Sequence, residues 1–374
     1  MRKRKKSIKW FVLLAVAISL TISYIAYRHS RTDNIRHIGI LSVLSGEFSK
    51  IGQDVLKGAM LYVDDYNRSH VDFPIRLAVE DGRAEAKTAA TVFSKLLSEK
   101  VLGCIVVGDN QVSPVAEMAV RNKMPILACS VGTSVFLSEN KPGEVWILKY
   151  SSSVAVEASK LAIYAKTGMG LTNVALLTME GGFGSDSGTA FSKSFIDAGG
   201  KVTEHETFVS KGNDVKSQIS KILQSNPDAI YVSGYGIGYF MAINQIRESG
   251  FEKIILTTDS VSTPYAKEAI KSCSNILYSG FVVERTEAYI DFEKAYQEKY
   301  HELPTRDSVY GYDSIALICD ALDNALDGRN LVDNILFHSC AHLAGDVQFL
   351  QNGDTIFPIS FIWAEQNGIQ AVFP

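Results

Sequence analysis

The chain has 374 residues, 46% of them hydrophobic and 21% charged. That composition excludes a disordered polymer, and the length is more than one ordinary core occupies, so two lobes are expected. The net charge of −4, with a basic excess only in the first residues, excludes nucleic acid as a partner.

Arg2, Lys3, Arg4, Lys5, Lys6 and Lys9 come first, and Trp10–Tyr27 carries no charge. Counted from Ile8, this apolar run reaches 20 residues, enough to cross a hydrocarbon core about 30 Å thick. The positive flank stays cytoplasmic, so the rest of the chain is exported. A cleaved signal needs a small-x-small exit, but Tyr27 stands where a small residue belongs, and no Cys near residue 25 can take a lipid. The stretch reads as an uncleaved anchor in the inner membrane, with a cleaved signal as the alternative. Residues 1–34 thus form a basic tail, an anchor or signal, and a short linker.

Beyond the linker, apolar strand-length runs alternate with helical periodicity. Residues 38–44 read as a buried strand, and Ser45-Gly46 breaks it. A helix follows, with Val55, Leu56, Ala59, Met60, Tyr62, Val63 and Tyr66 on its inner face. Strands at 75–79, 104–107 and 126–128 come next, separated by helices at 84–100 and 115–122, the second with Pro114 in its first turn. The pattern restarts near 144–150. It then runs through a helix at 154–167, a strand at 173–177, a glycine-rich loop at 181–188 and a helix at 189–198. A strand at 202–208, a helix at 215–225, a strand at 229–232, a helix at 238–249 and a strand at 254–257 follow. A strand at 279–284 and helices at 289–300 and 309–326 lead to a terminal hairpin of 346–349 with 357–364, and Asn367-Gly368 offers one more turn. This is an α/β chain of two Rossmann-like lobes with mostly parallel sheets and a cleft between them.

Reactive chemistry is sparse. The five cysteines have no metal-site spacing. Cys104 and Cys129 lie in consecutive strand-like runs that could face each other, although inert core thiols are the commoner outcome. Gly234-Tyr235-Gly236-Ile237-Gly238 follows a strand, but a dinucleotide fingerprint would need its third glycine at Tyr239. Residues 181–188 lack the Gly-Lys-Ser/Thr of a phosphate loop. There is no G-x-S-x-G elbow and no H-E-x-x-H, and His338 and His342, four apart, have no evident further ligand. No catalytic residue, metal ligand or cofactor is assigned. What remains is a set of strand-to-helix loops at 45–51, 108–113, 130–134, 181–188, 234–238 and 259–263, rich in glycine, hydroxyls and aromatics. Backbone N–H groups with hydroxyls hold a carboxylate, an acidic side chain pairs an ammonium, and aromatic rings line the apolar remainder of a pocket.

In this order along the chain the motifs resemble a known family. They are Ile38-Gly39-Ile40-Leu41-Ser42-Val43-Leu44-Ser45-Gly46, Gly52-Gln53-Asp54, Lys57-Gly58-Ala59, Pro114-Val115-Ala116-Glu117 and Met124-Pro125-Ile126-Leu127. Phe183-Gly184 with Phe191, Asn226-Pro227-Asp228-Ala229-Ile230 before Gly234-Tyr235-Gly236, and Tyr310-Gly311-Tyr312-Asp313 complete the set. From about residue 36 to 365 the chain is similar to the type I periplasmic binding proteins of the leucine/isoleucine/valine-binding class, the receptors of branched-chain amino-acid ABC transporters.

The resemblance implies a non-enzymatic, extracytoplasmic receptor that captures a small amino-acid-like ligand for an ABC transporter permease. It implies lobes of residues 35–149 with 281–345 and 150–280 with 346–374. The hinge would have three crossing segments, near Tyr150, near Gly280 and within 345–357. Ser130 and Thr133 would hold the carboxylate, with Ile51 or Phe48 against the ligand side chain. Phe183, Tyr235 and Asp259 would come from the other lobe, Asp259 facing the ammonium. One departure stands out. Family members carry a longer serine-rich stretch after the strand ending at Gly108, whereas here Gly108-Asp109-Asn110-Gln111-Val112-Ser113-Pro114 has one serine. Asn110 or Gln111 would be the polar contacts instead. An inward Asp109 would repel a carboxylate and favour an amide, a small polar metabolite or another acid. A second reading is a receptor-like fold reused as a membrane-anchored envelope scaffold or a regulator of a cell-wall enzyme, which a permanent anchor favours.

Overall fold

The computed structural model describes residues 34–372, apart from 213, 264–265, 267–268, 271–273, 325–330, 338–342 and 366–367. The expected anchor at Trp10–Tyr27, Cys273, Cys340 and the His338/His342 pair lie outside the described residues. No described helix is long and apolar enough to cross a membrane.

The first sheet contains β1 (Arg36–Ser42), β2 (Ile75–Asp81), β3 (Cys104–Val107), β4 (Ile126–Cys129) and β5 (Ile147–Tyr150), in the order β2-β1-β3-β4-β5 and parallel throughout. Every residue of β3, β4 and β5 is buried, as expected of parallel strands covered on both faces. Helices α1 (Ser49–Ser69), α2 (Ala86–Ser98) and α3 (Asp109–Arg121) connect the strands.

The second sheet uses β6 (Asn173–Met179), β7 (Lys201–Phe208), β8 (Ala229–Ser233), β9 (Ile254–Thr258) and β10 (Ile276–Gly280). Their order, β7-β6-β8-β9-β10, repeats that of the first sheet, and β13 (Ser360–Glu365) and β14 (Gly368–Val372) extend the β10 edge antiparallel. Its helices are α4 (Val154–Thr167), α5 (Gly182–Asp197), α6 (Lys216–Gln224) and α7 (Gly236–Glu248). The chain then returns through α8 (Glu287–Tyr300), α9 (Arg306–Asp323) and α10 (Leu331–Phe337) to cover the first sheet. A hairpin of β11 (Gln348–Phe349) and β12 (Thr355–Ile356) precedes β13.

Each sheet is sandwiched between helices. On one face of the first sheet Ile38 and Ile40 pack with Val55, Ile315 and Ile318, and on the other Leu41 and Val106 pack with Phe93 and Val112. Helices α1 and α9 touch at backbone distance. A Cβ on Gly58 would collide with the Ser308 carbonyl, and one on Gly311 with the Val55 carbonyl. In the second lobe Ile230 and Val232 face Ile243, while Tyr231 stacks on Phe191 with ring centres 4.1 Å apart.

Several expectations are corrected. Residues 109–113 form the first turns of α3, so Pro114 lies inside that helix rather than opening it. The stretch 181–188 is mostly the start of α5, not a loop, because Gly184 lets the helix lie against the Met179 carbonyl where any Cβ would clash. Residues 147–150 close the first sheet rather than beginning the second. The strand expected at 279–284 is β10, at Ile276–Gly280. The terminal hairpin is the short β11–β12 pair, and the longer 360–365 run joins β10. Cys104 and Cys129 do not face each other. Cys129 pairs with Val107 and Cys104 with Ile126, an offset of three residues that puts the thiols on opposite faces of the sheet, in separate cores. Both are free and buried.

Candidate functional site: the cleft between the sheets

In both sheets the strand order reverses beside the first strand, between β1 and β3 and between β6 and β8. In open α/β sheets ligands sit at such switch points, outside the carboxyl ends of the strands. The loops after β1 and β4 meet those after β6 and β8, and the loop after β9 meets the start of α9.

From the first lobe, Asp81 at the end of β2 braces the loop after β1. It accepts from Leu44 N–H at 2.9 Å, Ser45 Oγ at 2.6 Å and Arg83 N–H at 3.0 Å. Burial alone would raise its pKa, but these bonds hold it below the usual carboxylate range. Phe48 sits at the mouth of α1.

After β3 the chain turns at Gly108 (φ +85°) into α3, and Asp109 in the first turn reaches the loop after β4. Its Oδ2 accepts from Gly132 N–H at 3.0 Å, and its Oδ1 accepts from Thr133 N–H at 3.1 Å and Thr133 Oγ1 at 2.7 Å. Below this loop Lys149, with a fully buried side chain, donates to Ser134 Oγ at 2.9 Å and lies 3.6 Å from Asp354. Burial pulls its pKa down. Ser130, in the left-handed region at φ +51°, donates to Asp307 Oδ1 at 2.7 Å.

The second lobe presents Phe183 and Asp186 from α5, Tyr235 before α7, and Asp259 after β9. Phe183 and Phe48 both meet Tyr235 edge-to-face, with ring centres 5.2 and 5.7 Å apart. Phe183 also covers Gly132, where a Cβ would lie 2.5 Å from its ring. Glu47 of the first lobe accepts from Ile237 N–H at 3.2 Å, a favourable place for an anion at a helix start. Asp259 forms an ion pair with Arg306 of α9. The Tyr235 phenol is pushed up by burial and by the Asp109 charge, and the Asp186 carboxyl is pushed up for the same two reasons.

The residues expected at the site therefore divide. Phe48, Phe183 and Tyr235 come together as one aromatic cluster. Thr133 reaches the cleft but donates to Asp109, Ser130 donates to Asp307, and Asp259 pairs with Arg306. Ile51 packs against the first-lobe core. Asn110 is exposed on α3. Gln111 is fully buried, donating to Val107 O at 2.6 Å and abutting Gly82; it stiffens the turn and does not line the cleft. Glu47, Lys149, Asp186 and Arg306 were not marked as site residues in the sequence. Their partners are remote along the chain, and no local pattern announces them.

Around Tyr150 the end of β5 meets buried polar groups. Asp313 of α9 accepts from Leu343 N–H at 3.0 Å, Ala344 N–H at 2.9 Å and Tyr150 Oη at 2.8 Å. It thereby ties the end of β5 to the segment that leads toward β11. Burial pushes its pKa up to about 6. Glu157, in the first turn of α4, is pushed up to about 7 by burial, even with Ser152, Arg306 and Lys149 favouring its charged form.

A family model described as periplasmic binding protein matches residues 36–336. The chain belongs to the periplasmic binding proteins. Among relatives of this receptor is Leu/Ile/Val-binding protein homolog 3 of Brucella melitensis, 21% identical over 257 residues, or 67% of each chain. The leucine-binding protein LivK of Thermotoga maritima superposes with a TM-score of 0.81 at 22% identity, over 90% of this chain and 97% of that one. LivJ of Streptococcus pneumoniae, in complex with isoleucine, gives 0.80 at 21% identity over 91% and 100%. A solute-binding protein of R. palustris in complex with benzoate gives 0.80 at 17% identity over 90% and 95%. These likenesses establish the two-lobed fold. The chain is thus a periplasmic binding protein by sequence family and by fold.

Proposed function

We propose that this chain captures a small, amino-acid-sized solute carrying an amino or amide group and presents it to an ABC permease. In this reading it works as a receptor rather than an enzyme, outside the cytoplasm and tethered to the inner membrane through Trp10–Tyr27. The observation that carries the reading is the meeting of two switch-point loop sets on one cleft, with an aromatic cluster of Phe48, Phe183 and Tyr235 able to wall an apolar moiety. Residues 35–149 with 281–345 would move as one lobe and 150–280 with 346–374 as the other, closing about the segments near Tyr150, near Gly280 and within 345–357.

The test is thermal unfolding of the full chain in detergent against amino acids, their amides, amines and aromatic acids. A true ligand at a hundredfold excess over its Kd stabilises by about 2.7 kcal/mol. If no solute in the panel raises the Tm, the receptor reading fails.

One observation favours a second reading, an envelope scaffold or regulator of a cell-wall enzyme. The cleft is already bridged by the chain's own groups, Glu47 to Ile237 and Arg306 to Asp259. Under that reading a protein partner would co-purify with the anchored chain, and solutes would leave the complex unchanged.

A further inference from the structure

We propose that Asp109 is a resident occupant of the anion-binding loop at 130–134, so that the receptor excludes a free carboxylate there and accepts instead a hydrogen-bond donor, an amine or carboxamide end of its ligand. This deepens the receptor reading above and, for the ligand's identity, rests on it. The placement of Asp109 itself does not.

The loop has the donors an anion needs, namely Gly132 N–H, Thr133 N–H and Thr133 Oγ1, and all three are spent on the two oxygens of Asp109 at 2.7–3.1 Å. Hydrogen bonds to an ionised carboxylate are about twice as strong as neutral ones. The carboxylate is also held from below. Gly108 turns the chain at a positive φ, and Gln111, fully buried, locks the same helical turn to Val107 O at 2.6 Å. The first turn of α3 further favours an anion at this place.

A ligand carboxylate would have to strip Asp109 of all three donors and then lie beside it. It would also meet Asp186, whose carboxyl already responds to the Asp109 charge as well as to burial. Across the cleft Asp259 has Arg306 as its cation, so both poles of a bound zwitterion are supplied by the chain. An ionised carboxylate offers about four lone-pair sites, and three are in use. The remaining one, on Oδ2, takes a donor.

Chemical rescue tests the occupancy, and calorimetry tests the selectivity, both on the full chain in detergent. Asp109→Ala leaves the three donors without their acceptor, so its Tm drops by several degrees. Acetate restores that loss saturably, whereas acetamide does not, and wild type does not respond to acetate. An equal acetate response in wild type and variant, or none in the variant, overturns the proposal. Asp109→Asn keeps the side-chain volume and covers the case in which the alanine variant does not fold. It gains about tenfold or more in affinity for leucine over wild type, which prefers leucinamide to leucine by a similar factor. Leucine binding to wild type that weakens in either variant also overturns it. If acetate rescue holds while no solute binds any form, Asp109 is the occupant as proposed and it is the receptor reading that fails.

Discussion

The two lobes share one strand order and meet at one cleft, yet they bring opposite chemistry to it. The first lobe arrives saturated. Its loop donors are spent on Asp109, Ser130 is spent on Asp307, and Asp81 braces the loop after β1. The second arrives with faces. Phe183 and Tyr235 present rings that any apolar surface can meet, and the start of α7 presents an amide that Glu47 accepts from. Equal topology therefore does not imply equal roles. A hydrogen-bonded loop tolerates one arrangement of charge, while aromatic faces tolerate many shapes.

The lobes can be broken separately. Gly58→Leu drives a side chain into the Ser308 backbone and pries α1 from α9. It should cost about 4 kcal/mol or more, seen in calorimetry as loss of the first-lobe transition while the second lobe still melts. Gly184→Leu, which meets the Met179 carbonyl, should do the reverse. One melting transition lost in both variants would show that the lobes do not unfold independently.

The buried carboxylate of α9 is next. Asp313→Ala strands the buried Leu343 and Ala344 N–H groups and removes the acceptor of the Tyr150 hydroxyl, a loss of about 3 kcal/mol readable from urea midpoints. A change below 1 kcal/mol would mean that water replaces the carboxylate.

A pH effect of about 3 kcal/mol is expected from Glu157. Its carboxyl goes from 4.5 to about 7 on folding, so the folded state holds the proton more tightly. The stability that this proton contributes is complete below 4.5 and is lost as pH rises through 7. The Tm of wild type relative to Glu157→Gln should therefore fall across that window. A flat difference would sink the assignment.

The smallest effect sharpens the cleft itself. Phe48→Ala removes one edge-to-face contact between the lobes, worth about 1 kcal/mol. Small-angle scattering should report a larger radius of gyration for the variant, and an unchanged radius would mean that the aromatic contact does not hold the lobes together.

The fold was readable because parallel strands write themselves as short apolar runs. Ile75, Cys104 and Ile126 begin their strands where the pattern places them. Helix starts were less legible. Asp109–Ser113 and Gly182–Gly188 carry polar and glycine residues that look like loops, and only the packing of Gly184 on β6 shows why a helix needs them. The aromatic part of the site was legible, since Phe48, Phe183 and Tyr235 stand at strand ends. The charged part was not. Arg306 reaches Asp259, and Lys149 approaches Asp354, across separations that periodicity does not register.

The glycine contact between α1 and α9 also has a temporal meaning. The helix that completes the cover of the first sheet lies beyond all of the strands β6 to β10 in the chain, so in a chain emerging from its amino end Ile38, Ile40 and Val55 have only part of their cover until α9 follows. The strands β6 to β10 and their helices are contiguous, and only the edge strands β13 and β14 reach them from later in the chain. Contacts of long sequence separation close slowly, and the second lobe is therefore the earlier to form. Pulse-labelled hydrogen exchange during refolding would find amides of β8 and β9 protected before those of β1 and β3, and the opposite order would show that the first lobe assembles without its distant helix.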